Sequence, residues 1–167
     1  MVRSLYLAAL FCAAAPAAWA QIDGIDLPQR KPGLWLQTTT IGEMHLESKA
    51  CVDRGTDKAM LLAGMNKMKD MGLKMSVTGG GDTYTIHTTA AIPDHTINST
   101  MVLHFINDSA IHGDGKTHID PPFEHGEMPT DSSMQQDSKW IGPCPADMKP
   151  GDVITNGRKT NLLQGGG

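Results

Sequence analysis

Between Leu73 and Ile119 the chain alternates apolar and polar residues and breaks only at short turn signals. Successive side chains of a strand point to opposite sides of a sheet, so a period of two marks half-buried strands. Thr83 to Ala91 sets Tyr84, Ile86 and Thr88 against Thr85, His87 and Thr89. Ile97 to Ile106 sets Met101, Leu103 and Phe105 against Val102, His104 and Ile106. Leu73 to Thr78 precedes these runs and Ser109 to Ile119 follows them. The breaks are Gly79-Gly80-Gly81-Asp82, Pro93-Asp94 and Asn107-Asp108, all turn-forming residues. Gly113-Asp114-Gly115 reads as one more turn or bulge. Short strands at this spacing predict an antiparallel meander.

The flanks extend the pattern. Gly33 to Thr40 is a strand rich in β-branched and aromatic residues, and Glu43 to Val52 pairs back on it across Ile41-Gly42. Met44, Leu46 and Ser48 share one face of that second strand. After Arg54-Gly55, Thr56 or Asp57 is placed to cap a helix. Ala59 to Met71 are helix formers and Gly72 suits the helix end. Asp120 to Asp131 is a polar loop, Ser132 to Ile141 a last core strand, and Asn156-Gly157 a hairpin turn between two extended pieces. The expected fold is mainly β (α+β): a curved antiparallel meander sheet or partial barrel with one covering helix. Residues 33–163 form a single domain, 21–32 an extended, loosely held lead-in, and 164–167 a flexible tail.

The N-terminus points to export. Arg3, the apolar run Leu5 to Ala18 and the small-x-small site Ala18-Trp19-Ala20 are the three parts of a signal peptide over residues 1–20. Cleavage near Ala20 would release a periplasmic or secreted protein. Lipidation at Cys12 is the lesser alternative, because Phe11 stands where a small residue is wanted. No run reaches the about 20 apolar residues of a membrane-spanning helix. Without residues 1–20 the chain has 13 basic and 18 acidic residues, a net charge of −5. With no basic stripe, nucleic acid is excluded as a partner. Cys51 and Cys144 remain, and two cysteines in an oxidising compartment most simply form one disulfide. A redox-active or metal-binding pair is the rival reading, but no C-x-x-C or basic cluster accompanies either cysteine.

Candidate chemistry is sparse. His87, His104 and His112 could converge across neighbouring strands as zinc or copper ligands, although no spaced histidine motif is present. Their plain reading is as separate, solvent-facing strand residues. Met65, Met68 and Met71 offer thioethers that suit Cu(I); their plain reading is a packed helical stripe. The acidic loop with Asp120, Glu124, His125 and Glu127 lacks the pattern of a calcium loop and reads as a solvated connection. No G-x-S-x-G, S-x-x-K, P-loop or dinucleotide fingerprint occurs. No cofactor is implied.

Four motifs resemble a known family. Lys31-Pro32-Gly33-Leu34-Trp35, Lys49-Ala50-Cys51-Val52, Trp140-Ile141-Gly142-Pro143-Cys144-Pro145 and Lys149-Pro150-Gly151-Asp152 resemble the bacterial exported family called domain of unknown function 3617. The resemblance implies Cys51 and Cys144 as disulfide partners. Many members carry a second cysteine pair, whose neighbourhoods here hold Met75 and Thr88; joint loss suits a second bridge. The functional expectation is a non-enzymatic periplasmic binding or envelope-associated module. Its working part would be an apolar cavity between helix and sheet for a small hydrophobic ligand, or a surface for an envelope protein. The runner-up is a periplasmic copper- or zinc-handling protein. A hydrolase or isomerase with an unfamiliar site is the third reading.

Overall fold

The structure is a computed structural model that describes residues 20–22, 25–124 and 129–164. The expected signal peptide lies outside the described residues except at Ala20, as does the expected tail except at Gln164. His125 and Glu127 of the acidic loop also lie outside them.

Two short strands, β1 (Ala20–Ile22) and β2 (Ile25–Leu27), pair with each other. The rest of the β-structure is one open antiparallel sheet of nine strands. In chain order these are β3 (Gly33–Ile41), β4 (Met44–Val52), β5 (Lys74–Gly80), β6 (Thr83–Ile92), β7 (His95–Asn107), β8 (Ala110–Asp120), β9 (Asp131–Gly142), β10 (Asp152–Thr155) and β11 (Arg158–Asn161). In space the order is β11-β10-β4-β3-β9-β8-β7-β6-β5. The meander from β5 to β9 follows from local turns, as the alternation predicts. The β3–β4 and β10–β11 hairpins also form, with Asn156 and Gly157 at φ 52° and 73° in the second turn. The sequence did not show that β9 returns to pair with β3.

The one helix among the described residues, α1 (Thr56–Asp70), joins β4 to β5. Those strands stand six places apart, about 29 Å in a flat sheet, so the connection must cross a sheet face. Met60 of α1 packs with Trp35 and Val52, while Met65 packs with Leu27 and Tyr84. Five helical residues span only about 7.5 Å, yet the two clusters involve β3 and β6, four strand places apart. The sheet therefore curls around α1 and β2.

Three local expectations are corrected. The helix start is organised by Asp53 rather than by Thr56 or Asp57. Its Oδ1 accepts the amides of Gly55 and Thr56 at 2.8 and 2.7 Å, and Thr56 Oγ1 accepts the Asp53 amide at 2.9 Å. The Thr56 amide chiefly holds the Asp53 carboxyl below its ordinary pKa, against an opposing effect of burial. Asp57 instead accepts from Arg30 Nε at 2.7 Å and from the Arg30 amide at 3.1 Å. The second correction follows: the lead-in is not loosely held, because Arg30 and Lys31 pin it to α1 and to the Asp108 carbonyl. Third, Gly113-Asp114-Gly115 makes no turn. β8 runs unbroken through it, because β7 and β9 supply ladders on both sides.

The motif segments meet at one end of the sheet. Trp35 is 1% exposed and lies directly opposite Trp140. Their indole N–H groups donate to the carbonyls of Lys31 and Pro32 at 2.8 and 2.9 Å. Lys31 Nζ lies 3.8 Å from the Trp140 ring centre, a favourable cation–π position. A side chain on Gly33 would collide with the Gly142 carbonyl and Trp140 Nε1, and its φ of 137° also favours glycine. Beside this knot Cys51 and Cys144 are joined, with Cα atoms 5.6 Å apart. Gly151 donates its amide to the Cys51 carbonyl at 2.9 Å. Cross-linking positions 93 residues apart restricts the unfolded chain by roughly 4–5 kcal/mol in the chain-entropy model. Reduction, or Cys51→Ser with Cys144→Ser, is expected to lower the unfolding free energy by about that amount in urea titrations read by tryptophan fluorescence.

Candidate functional site

Residues directly opposite in adjacent antiparallel strands project from the same face, so the strand registers define two surfaces. One face carries every Asp, Glu, Lys and Arg that β3 to β9 contain, as in the alternating Asp114, Lys116 and Asp120. Five histidines, at 45, 87, 104, 112 and 118, share it. The opposite face, the one α1 packs on, has no Asp, Glu, Lys or Arg on these seven strands. His95 sits at its rim, stacked on Phe123 with ring centres 4.1 Å apart.

On the charged face His104 of β7 lies directly opposite His112 of β8, and His112 opposite Asp137 of β9. His87 shares the face but pairs with Thr100, four residues from His104 along β7 and so about 13 Å away. The structure thus brings two of the three candidate histidines together. His112 Nδ1 donates to Asp137 at 2.8 Å and Nε2 contacts Asp114 at 3.2 Å. His104 Nδ1 bonds Thr83 at 3.2 Å. Among the described residues no group of three His, Cys, Asp or Glu is arranged to hold a metal ion. The methionines separate as well. Met65 is buried in the core, Met68 is half-buried, and Met71 is 69% exposed at the helix end. Six residues along a helix bring Met71 well round from Met65.

The hydrogen bond to Asp137 chiefly raises the His112 pKa above the usual 6.5, against burial and aided by the Asp114 charge. A carboxylate at each ring nitrogen stabilises the charged ring relative to a free imidazole. The same face holds an open groove of about 520 Å³ lined by Thr100, Val102, Asp114, Lys116, Ser133 and Gln135 among others. The groove is open to solvent, where water competes for each polar contact.

The charge-free face is built in rows. One runs Ile86–Met101–Gly115–Met134–Ile41–Met44, and the next Tyr84–Leu103–Gly113–Gln136–Thr39–Leu46. A third is wholly hydroxylic: Thr88–Ser99–Thr117–Ser132, with Ser99 and Thr117 hydrogen-bonded at 2.8 Å. Towards β3 and β4 the face is open, and Ile41, Met44 and Leu46 are exposed, Met44 to 55%. Met60 and Met65 pack between α1 and the sheet, and open apolar surface lies beside them. The glycine pair and the hydroxyl row escaped the sequence because they emerge only from cross-strand register. Their one sequence signal was the small residues at alternate positions.

A family model described as "Protein of unknown function (DUF3617)" matches residues 30–144. The chain belongs to this family. No curated protein and no solved structure matches it. The match takes in two of the four motifs whole and the third as far as Cys144, and the fold of this DUF3617 protein gathers them around the tryptophan pair. Met75 and Thr88, where the family resemblance would put a second cysteine pair, lie directly opposite each other on β5 and β6. The double variant Met75→Cys, Thr88→Cys is expected to oxidise to a second bridge, gaining about 3 kcal/mol of stability for so short a loop, as measured by unfolding with and without reductant.

His112 is expected to titrate above 6.5 in the folded chain by NMR, and Asp137→Asn to bring it down. A raised folded pKa means that this pairing contributes fully below about pH 6.5 and is lost as pH rises through the folded value.

Proposed function

We propose that this DUF3617 protein is an exported, non-enzymatic binding module of the cell envelope that holds a hydrophobic ligand on its charge-free sheet face. The observation that carries the reading is the sorting of every Asp, Glu, Lys and Arg of β3 to β9 to one side of a sheet whose other side α1 and β2 only partly cover. An amphipathic sheet needs a cover for its apolar side, and contiguous exposed apolar surface marks a binding site. Export is supported by the leader-like sequence of residues 1–20 and by the Cys51–Cys144 bridge, which persists only in an oxidising compartment.

The test uses protein purified after export and the neutral dye N-phenyl-1-naphthylamine. Saturable fluorescence enhancement is expected. Met44→Glu with Leu46→Glu should weaken it about tenfold or more, since a buried unpaired charge is costly. The melting temperature should hold, because both side chains are exposed. Absence of saturable binding, or binding indifferent to these substitutions, would overturn the reading.

A further inference from the structure

We infer that the ligand is an amphiphile with one unbranched alkyl chain and an uncharged, hydrogen-bonding head. The chain lies along the glycines of β8 and the head sits at the hydroxyl row. This rests on the binding role proposed above and names the ligand class for the same face.

Gly113 and Gly115 both face the apolar side and are buried without side chains of their own. Glycine within a strand often marks a place where a ligand comes close to the backbone. Neither has a positive φ, so it is space and not backbone geometry that distinguishes these positions. A Cβ on Gly115 would meet Met101 Cε at 3.2 Å and Met134 Cε at 3.3 Å, and one on Gly113 would meet Leu103 Cδ2 at 2.8 Å. The long side chains of β7 and β9 therefore lean over a floor of bare backbone. Methionine is unbranched and adapts its shape at small cost, so these walls can part around a guest. They are half-buried, not sealed.

The dimensions select the guest. β7 and β9 stand two strand spacings apart, about 9.6 Å between backbones, and their side chains take up part of that width. A helix with side chains is about 10–12 Å across and does not fit. A single alkyl chain does. From Gly113 to Thr117 the floor runs about 14 Å.

The head is set by what surrounds the end of the trough. Thr88, Ser99, Thr117 and Ser132 lie in one row across β6 to β9, all half-buried. Each hydroxyl both donates and accepts. No Asp, Glu, Lys or Arg shares this face on β3 to β9, so these strands offer a charged head no counter-charge for the hydration it would lose. A glycerol or ester head satisfies the row.

The experiment is calorimetric titration of the exported protein with 1-monomyristoylglycerol, sodium myristate and myristyltrimethylammonium, each below its micelle concentration. One-to-one binding of the monoacylglycerol is expected, about tenfold or more tighter than either charged amphiphile. Gly115→Val should abolish it with the melting temperature held, because the neighbouring methionine ends can shift and valine suits a strand. Gly113→Ala is the milder check on the same floor should that variant misfold. Ser99→Ala should narrow the preference for the neutral head while leaving myristate unchanged. Equal binding of the three heads, or Gly variants that bind normally, would overturn the trough assignment while dye binding left the broader role standing. A dimer dispersed by Gly115→Val would also overturn it, assigning the face to a second copy of the chain. Failure of both dye and amphiphiles would remove the role itself.

Discussion

The contact between Trp35 and Trp140 is the junction on which the rest of the sheet depends. It pairs a strand near the start of the chain with one near its end, the most expensive kind of pairing in loop-closure entropy. Several cheap features converge on it. The lead-in carbonyls of Lys31 and Pro32 satisfy both indoles, Lys31 sits over one ring, and Gly33 removes the one side chain that would hold the strands apart. The Cys51–Cys144 bridge then fixes the same two regions covalently. The meander from β5 to β9 needs none of this, since each of its pairings is a local hairpin. Without the junction it would be a five-stranded ribbon with an unpaired edge, a form open to aggregation.

The helix follows from that topology. Once β9 is paired with β3, the chain leaving β4 is stranded far from the place where β5 must form, and it has to travel across a face. α1 makes that crossing with few apolar anchors, Met60 near one wall of the curl and Met65 near the other. A sheet that bends around one slender helix leaves apolar surface beyond the helix uncovered. Charges are consequently confined to the outer side, where Asp114, Lys116 and the histidines stand in solvent.

The two faces therefore differ in kind. On the outer one, polar groups pair with one another: His112 is held between Asp114 and Asp137, and His118 bonds Asp131 at 2.8 Å. Those contacts account for the side chains that make them. On the inner one, a band of hydroxyls crosses an apolar field, and two glycines lie beneath long, adaptable side chains. The ends of Met101, Leu103 and Met134 reach into the space that side chains on Gly113 and Gly115 would take.

The sequence by itself determined the strands, because side-chain alternation is a local property written residue by residue. It also determined a helix over Ala59 to Met71, the turns at Gly42 and Asn156-Gly157, and the pairing of Cys51 with Cys144. Gly113-Asp114-Gly115 reads locally as a turn or bulge, because a Gly-Asp-Gly triplet has the same signature whether or not strands flank it. What only the tertiary structure decided was register and order: that His104 meets His112 while His87 does not, that Met65 is core and Met71 is not, and that Thr88, Ser99, Thr117 and Ser132 form one row. Each is a relation between residues far apart in the chain, fixed by the β3–β9 closure and the cross-strand ladders, and no pattern within a single strand encodes it.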